Sequence, residues 1–204
     1  MSGGSGDAAD APTHLLYLHG FRSSPRSFKA LRLQDWLRRN RPELIWQCPQ
    51  LPPSPRAAIE AARAILDAWP AGRFAVAGSS LGGFYATVLA EATGCRAVLL
   101  NPAVDPARDL APHVGEQTLF HDPSQRFEFR PEYVDELRVL APTAITRPER
   151  YLAIIAKGDE VLDWREMSAR YAGCPMRLIE GSDHGLSDFD DHLPFLLDFL
   201  RLKP

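Results

Sequence analysis

The chain has 204 residues, enough for one domain with a sizeable core. A hydrophobic content of 45% and a charged content of 24% belong to a soluble globular protein and exclude a disordered chain. A net charge of −3 gives no support for binding nucleic acid or an anionic membrane surface, and the longest apolar runs fall far short of a membrane span. Residues 1–12 are small, polar and slightly acidic, lack the basic and apolar regions of a secretory signal, and read as a disordered tail before one domain at 13–204. Cys48, Cys95 and Cys174 are odd in number and far apart. That argues against a disulfide framework or a zinc site and for a reducing cytoplasm.

From the N-terminus, His14 to His19 is apolar and reads as a buried strand, followed by a loop from Gly20 to about Pro25. Ser27 to Asn40 carries Phe28, Leu31, Leu33, Trp36 and Leu37 among basic residues, an amphipathic helix. Glu43 to Cys48 is a second strand, and Pro49 to Pro55 holds four of the 18 prolines as a rigid loop. Arg56 to Trp69 is an Ala-rich helix, Phe74 to Ala77 a third strand, Phe84 to Thr93 a helix, and Ala97 to Leu100 a fourth strand closed by Asn101-Pro102. Periodicity is poor from Asp105 to Arg150, with short helices near Ala107 to His113 and Pro131 to Leu137; a segment this long should have structure of its own. Tyr151 to Ala156, a helix from Trp164 to Tyr171, Met176 to Glu180 and a closing helix over Leu193 to Leu200 complete the chain. Short apolar strands alternating with helices imply a mostly parallel sheet of about six strands, covered on both faces, with its site at the carboxyl ends of the strands.

The most informative stretch is Gly78-Ser79-Ser80-Leu81-Gly82-Gly83, a Gly-x-Ser-x-Gly turn between a strand and a helix. Such a turn lifts its central serine above the sheet edge, and small neighbours are needed because strand and helix backbones nearly touch. Ser80 is the candidate nucleophile. A serine hydroxyl needs a base in reach, and the base needs a third group to fix its tautomer. Of six histidines, His184 lies in a Gly/Ser loop after the last strand and suits the base. His19 reads as structural, His14 adjoins the tail, His113 and His121 could touch substrate, and His192 faces out of or caps the last helix. Asp159, after the fifth strand, is the candidate acid. Its rivals are Glu160, which should point the other way, Asp163 on the next helix, Asp105 after the fourth strand, and Asp183, badly placed beside the base. The order Ser80, Asp159, His184 is that of the α/β-hydrolase triad. The backbone N–H groups of Leu81 and Phe21 are the candidate oxyanion donors.

These segments carry a resemblance. Leu-Tyr-Leu-His-Gly-Phe (16–21) with Ser23-Ser24-Pro25, Gly-Ser-Ser-Leu-Gly-Gly (78–83), Asn-Pro-Ala-Val (101–104), Gly-Asp-Glu-Val-Leu-Asp (158–163) and Gly-Ser-Asp-His (181–184) resemble the α/β-hydrolases, and within them the small bacterial YqiA-type esterases. The resemblance implies the compact α/β-hydrolase fold with a small helical, cap-like insertion at 105–150 over the site. It also implies activity on short acyl esters and on thioesters such as acyl-coenzyme A.

The expected function is therefore a cofactor-free, metal-free serine esterase acting on a small-molecule acyl ester. An acyl-CoA thioesterase with the same triad is the alternative, and a non-catalytic binding protein on this fold is a third reading. Neither a nucleic-acid partner nor a membrane span is expected, and oligomeric state is open. Phe120, Phe127, Phe129 and Tyr133 of the insertion are candidates to wall the acyl pocket, with Arg126 and Arg130 among them. The insertion is expected to set substrate choice and to leave the chemistry alone.

Overall fold

The computed structural model describes residues 11–203, so the reading of a disordered tail lies, for residues 1–10, outside the described residues. Six parallel strands form the central sheet: β1 (His14–Leu18), β2 (Ile45–Gln47), β3 (Phe74–Ser79), β4 (Arg96–Leu100), β7 (Tyr151–Ala156) and β8 (Met176–Ile179). Their spatial order is β2-β1-β3-β4-β7-β8. Strands β1, β3, β4 and β7 occupy the middle and are almost wholly buried, which is why they read as unbroken apolar runs.

Alternation along each strand divides the core in two. Leu15, Tyr17, Ala75, Ala77, Val98, Leu100, Ile154 and Ala156 face α1 (Phe28–Asn40) and α7 (Phe189–Phe199). Leu16, Leu18, Val76, Ala97, Leu99, Ala153 and Ile155 face α2 (Pro55–Asp67), α3 (Leu81–Thr93) and α6 (Trp164–Arg170). Each leucine, isoleucine or valine withdrawn from water in these layers contributes about 1.5–3 kcal/mol, and each alanine less. Local signals agree with the boundaries. Ser54 caps α2 by accepting the Ala57 N–H at 3.2 Å, with Pro55 as first helical residue. Gly94, at φ 71°, ends α3 in the left-handed region. Helix α7 runs from Phe189 to Phe199, taking in the expected closing stretch up to its C-cap Leu200, and tolerates Pro194 in its interior, where the N–H toward the Asp190 carbonyl is missing.

The segment between β4 and β7 holds α4 (Pro106–Leu110), a 3-10 turn (Ala111–His113), a hairpin of β5 (Gly115–Thr118) with β6 (Arg126–Phe129), and α5 (Pro131–Leu140). The two helices lie where the sequence places them, and the antiparallel hairpin between them is structure that the sequence reading did not specify. Glu136 on α5 accepts from Ser54 Oγ (2.7 Å) and the Arg56 N–H (3.0 Å), tying the insertion to the start of α2. Among the described residues no helix is long and apolar enough to cross a membrane.

Candidate active site

One residue separates β3 from α3, and it is Ser80, at φ 55° and ψ −121°. An L-residue there costs on the order of 1–3 kcal/mol and persists only where its surroundings over-determine it. The surroundings do so. The Ser80 N–H donates to the Leu100 carbonyl at 3.0 Å, and its own carbonyl accepts from Gly83 (2.9 Å) and Ala103 (3.0 Å). A Cβ on Gly78 would collide with the Gly82 carbonyl, one on Gly82 with the Leu18 carbonyl, and one on Gly83 would lie 2.8 Å from Pro102 Cβ. The glycines are thus fixed by close backbone approach. Ser80 is half-buried with its hydroxyl at the carboxyl edge of the sheet, whereas Ser79 ends β3 and is buried.

Asp159 and His184 meet across the loops that follow β7 and β8. His184 Nδ1 lies 2.8 Å from Asp159 Oδ2, and the Asp159 side chain is fully buried. Its other oxygen, Oδ1, accepts the N–H groups of Val161 and Leu162, both at 2.8 Å. The loops touch because Gly158 lets the acid loop approach: its N–H donates to the Gly181 carbonyl at 2.9 Å, and a Cβ there would strike the Ser182 carbonyl. Asn101 links this pair to the serine. It follows Leu100, which accepts the Ser80 N–H, and its Nδ2 donates to the carbonyls of Asp183 (3.0 Å) and His184 (3.2 Å). Ser80 and His184 are therefore anchored to the same short stretch, 100–103. Among the described residues no hydrogen bond joins the two side chains; such contacts tighten when substrate binds.

The rival acids are engaged elsewhere. Asp105 caps α4 by accepting from Arg108, and Asp163 caps α6 by accepting from Arg165. Asp183 holds its own loop through the Ser187 N–H. Glu160 does not point away: its carboxylate accepts the His184 backbone N–H at 2.9 Å.

Gly20 packs directly on the serine, since a Cβ there would lie 3.2 Å from Ser80 Cβ and 3.7 Å from Ser80 Oγ. Phe21 follows it, and Leu81 is the first residue of α3. Among the described residues the N–H groups of Phe21 and Leu81 donate to no protein acceptor, so both are available to an oxyanion. His19 braces this loop, with Nδ1 2.9 Å from the Gly20 carbonyl and Nε2 accepting the Leu51 N–H at 3.0 Å. Burial lowers its pKa, which keeps the ring neutral as that acceptor requires.

The other histidines stand apart. His14 is buried beside Thr13 and against Trp69, and His121 is exposed. His113 is exposed with its ring 5.9 Å from that of Phe21. His192 is buried and pairs with Asp188 at 3.0 Å.

A cleft of about 210 Å³ opens beside the loop at His19 to Ser23. Phe21, Leu51, Pro52, Leu81, Tyr85 and Phe127 give it an apolar lining, with Arg22 and Arg126 also on its walls. The four insertion aromatics divide. Phe127 lines the cleft. Phe129 is 1% exposed and packs between Phe21 and Tyr133, so both it and Tyr133 belong to the core behind the cleft wall. Phe120 is exposed, with the Arg22 guanidinium 4.4 Å above its ring. Arg126 pairs with Glu116 at 2.5 Å, and Arg130 lies outside the cleft near Glu128 and Glu132. Among the described residues no three His, Cys, Asp or Glu side chains are grouped as a metal ion would require.

Lys29 is the residue that sequence reasoning passed over. It is buried on α1, and its Nζ donates to the Gly185 carbonyl at 2.5 Å. Burial pushes its pKa down to about 8, against the opposing pull of Asp183 and Asp159. Its spacing from Leu33 and Leu37, which share the buried stripe of α1, was the available signal.

Comparison with known proteins bears on the fold. The solved structures similar in fold include alpha/beta hydrolase domain-containing protein 10 from mouse, at TM-score 0.67 and 16% identity over 92% of this chain and 90% of that one. A structure from LipS and LipT, two metagenome-derived lipolytic enzymes, matches at TM-score 0.70 and 17% identity over 95% of each chain. Est1E from Butyrivibrio proteoclasticus matches at TM-score 0.65 and 15% identity over 94% and 90%. The model described as "Uncharacterised protein family (UPF0227)" matches residues 14–201. The chain belongs to the UPF0227 family, and its fold is that of the α/β-hydrolase superfamily.

Proposed function

We propose that this protein is a serine hydrolase that cleaves acyl esters through an acyl-enzyme intermediate. The observation that carries the reading is the 2.8 Å contact of Asp159 with His184, anchored beside a serine at φ 55°. In this reading His184 Nε2 takes the hydroxyl proton as Ser80 Oγ bonds to the acyl carbon. Asp159 keeps the other imidazole proton on Nδ1 and stabilises the imidazolium. The carbonyl oxygen, now an oxyanion, accepts from the N–H groups of Phe21 and Leu81. Loss of one such donor costs roughly 10²–10³ in rate. The proton passes from Nε2 to the departing alkoxide as the C–O bond breaks, and water, deprotonated by the same imidazole, releases the acid.

The cleft's size and apolar lining suit an acyl group of a few carbons, a small molecule rather than a nucleic acid or a peptide chain. Similar folds point to esters: LipS and LipT are lipolytic, Est1E has been solved with ferulic acid, and an esterase domain from Rhodothermus marinus also matches. Arg22 and Arg126 on the cleft favour an anionic leaving group as a second reading, which would make the substrate an acyl thioester such as an acyl-CoA. We assign the catalytic unit to residues 13–204, with 105–150 as a cap-like insertion and neither metal nor organic cofactor taking part. The free thiols of Cys48, Cys95 and Cys174 suit the cytoplasm. A matched panel of oxygen esters, thioesters and amides across acyl lengths tests the reading. Short oxygen esters or thioesters should turn over and amides should not; inertness toward the whole panel would leave a non-catalytic binding protein.

A further inference from the structure

The His184 loop is strained on both sides of the imidazole, with Ser182 at φ 60° and Leu186 at φ 49°. Left-handed conformations of this kind are unfavourable for such residues unless something outside the loop holds them. Three side chains from three separate elements do so. Glu160 accepts the His184 N–H, Asn101 donates to the carbonyls of Asp183 and His184, and Lys29 donates to the carbonyl of Gly185. The backbone of residues 183–185 is thus gripped at four points, while Asp159 holds the ring.

Lys29 is the costly member of this set. An ammonium placed on the apolar stripe of a helix loses its hydration, and an alanine or leucine there would favour the fold more. Its side chain nevertheless reaches from α1 to the base-bearing loop and finds one hydrogen-bond acceptor among the described residues. The nearby carboxylates of Asp183 and Asp159 hold its charge in place. A buried cation that weakens the core and whose hydrogen bond among the described residues goes to the loop of the base is explained by what it does to that loop.

We propose that Lys29 is a positioning residue for His184: by fixing the Gly185 carbonyl, in concert with Asn101 and Glu160, it keeps the imidazole where it can take the Ser80 proton. The proposal rests on the reading of Ser80, Asp159 and His184 as the reacting set. Misplacing a reacting group by about 1 Å costs on the order of 10² in rate, which sets the scale of the effect.

The test is Lys29→Met, which keeps an unbranched side chain as far as Cε and removes the donor. Turnover of a short ester should fall 10- to 100-fold with KM within about twofold, and fluorophosphonate labelling of Ser80 should slow by the same factor. The thermal midpoint should hold or rise, because a buried charge has gone. Lys29→Arg, which restores a cationic donor, should recover part of the rate. Wild-type turnover in Lys29→Met, or a loss of rate that tracks a fall in thermal midpoint, would overturn the proposal. Should Lys29→Met fail to fold, Glu160→Ala carries the test from an exposed position, and unchanged turnover there would overturn it equally. A wild-type protein that never labels at Ser80 instead removes the triad reading itself.

Discussion

The ring of Phe21 stands edge-on to that of Phe129, with centroids 5.1 Å apart. The residue proposed to donate its N–H to the oxyanion is thereby packed against the inserted hairpin. Arg22 repeats the link: its Nε donates to the Thr118 carbonyl at 2.7 Å, and its own carbonyl accepts the Phe120 N–H at 2.9 Å. The expectation that the insertion sets substrate choice and leaves the chemistry alone therefore gives way to a different proposal. The hairpin shapes the cleft through Phe127 and supports the oxyanion loop through Phe129 and Thr118.

Two neighbouring phenylalanines should then behave differently. Phe127→Ala should shift the preferred acyl length while labelling of Ser80 persists, with discrimination of about 1–3 kcal/mol per methylene. Phe129→Ala should lower all substrates together and destabilise the fold by about 3–5 kcal/mol, as expected for a buried ring. Acyl-length profiles and denaturation midpoints of the two variants decide it; matching profiles would remove the division of labour.

Asp159→Asn should reduce turnover by on the order of 10⁴, because the amide cannot hold the Nδ1 proton. Asp105→Asn and Asp163→Asn act on helix caps and should change stability by about 1 kcal/mol or less, with turnover nearly intact. A crippled Asp105→Asn would move the acid to the end of β4.

The buried Lys29 gives a pH signature. Its pKa falls from 10.5 to about 8 on folding, so between those values the unfolded chain binds more protons than the native one. Stability therefore rises with pH across that window, and below about pH 8 the group carries its full cost, on the order of 3 kcal/mol. Urea denaturation of wild type minus Lys29→Met should show wild type gaining between pH 7.5 and 9.5; a pH-independent difference would contradict the buried ammonium.

Much of this was legible in the sequence, for physical reasons that differ by residue. Gly78 and Gly82 announce the turn because only hydrogen fits where strand and helix backbones meet. Asp159 and His184 follow apolar strands, and a parallel sheet gathers such positions at one edge. The hairpin was not read, although Phe127 and Phe129 alternate with Arg126 and Glu128, because four residues give a weak period-two signal amid prolines and turns. Composition supplied aromatics for the insertion but not which of them face the cleft and which the core. Lys29 is not legible as a buried group in the sequence, because basic residues on an amphipathic helix usually face solvent. Glu160 was turned the wrong way because strand alternation does not continue into the loop after β7.

The central claim is that Ser80, and not the adjoining Ser79, is the nucleophile. Mass-spectrometric mapping of a fluorophosphonate adduct tests it most directly. The account predicts one adduct, on Ser80, lost in Ser80→Ala and retained in Ser79→Ala. An adduct on any other residue, or one that survives Ser80→Ala, would contradict it.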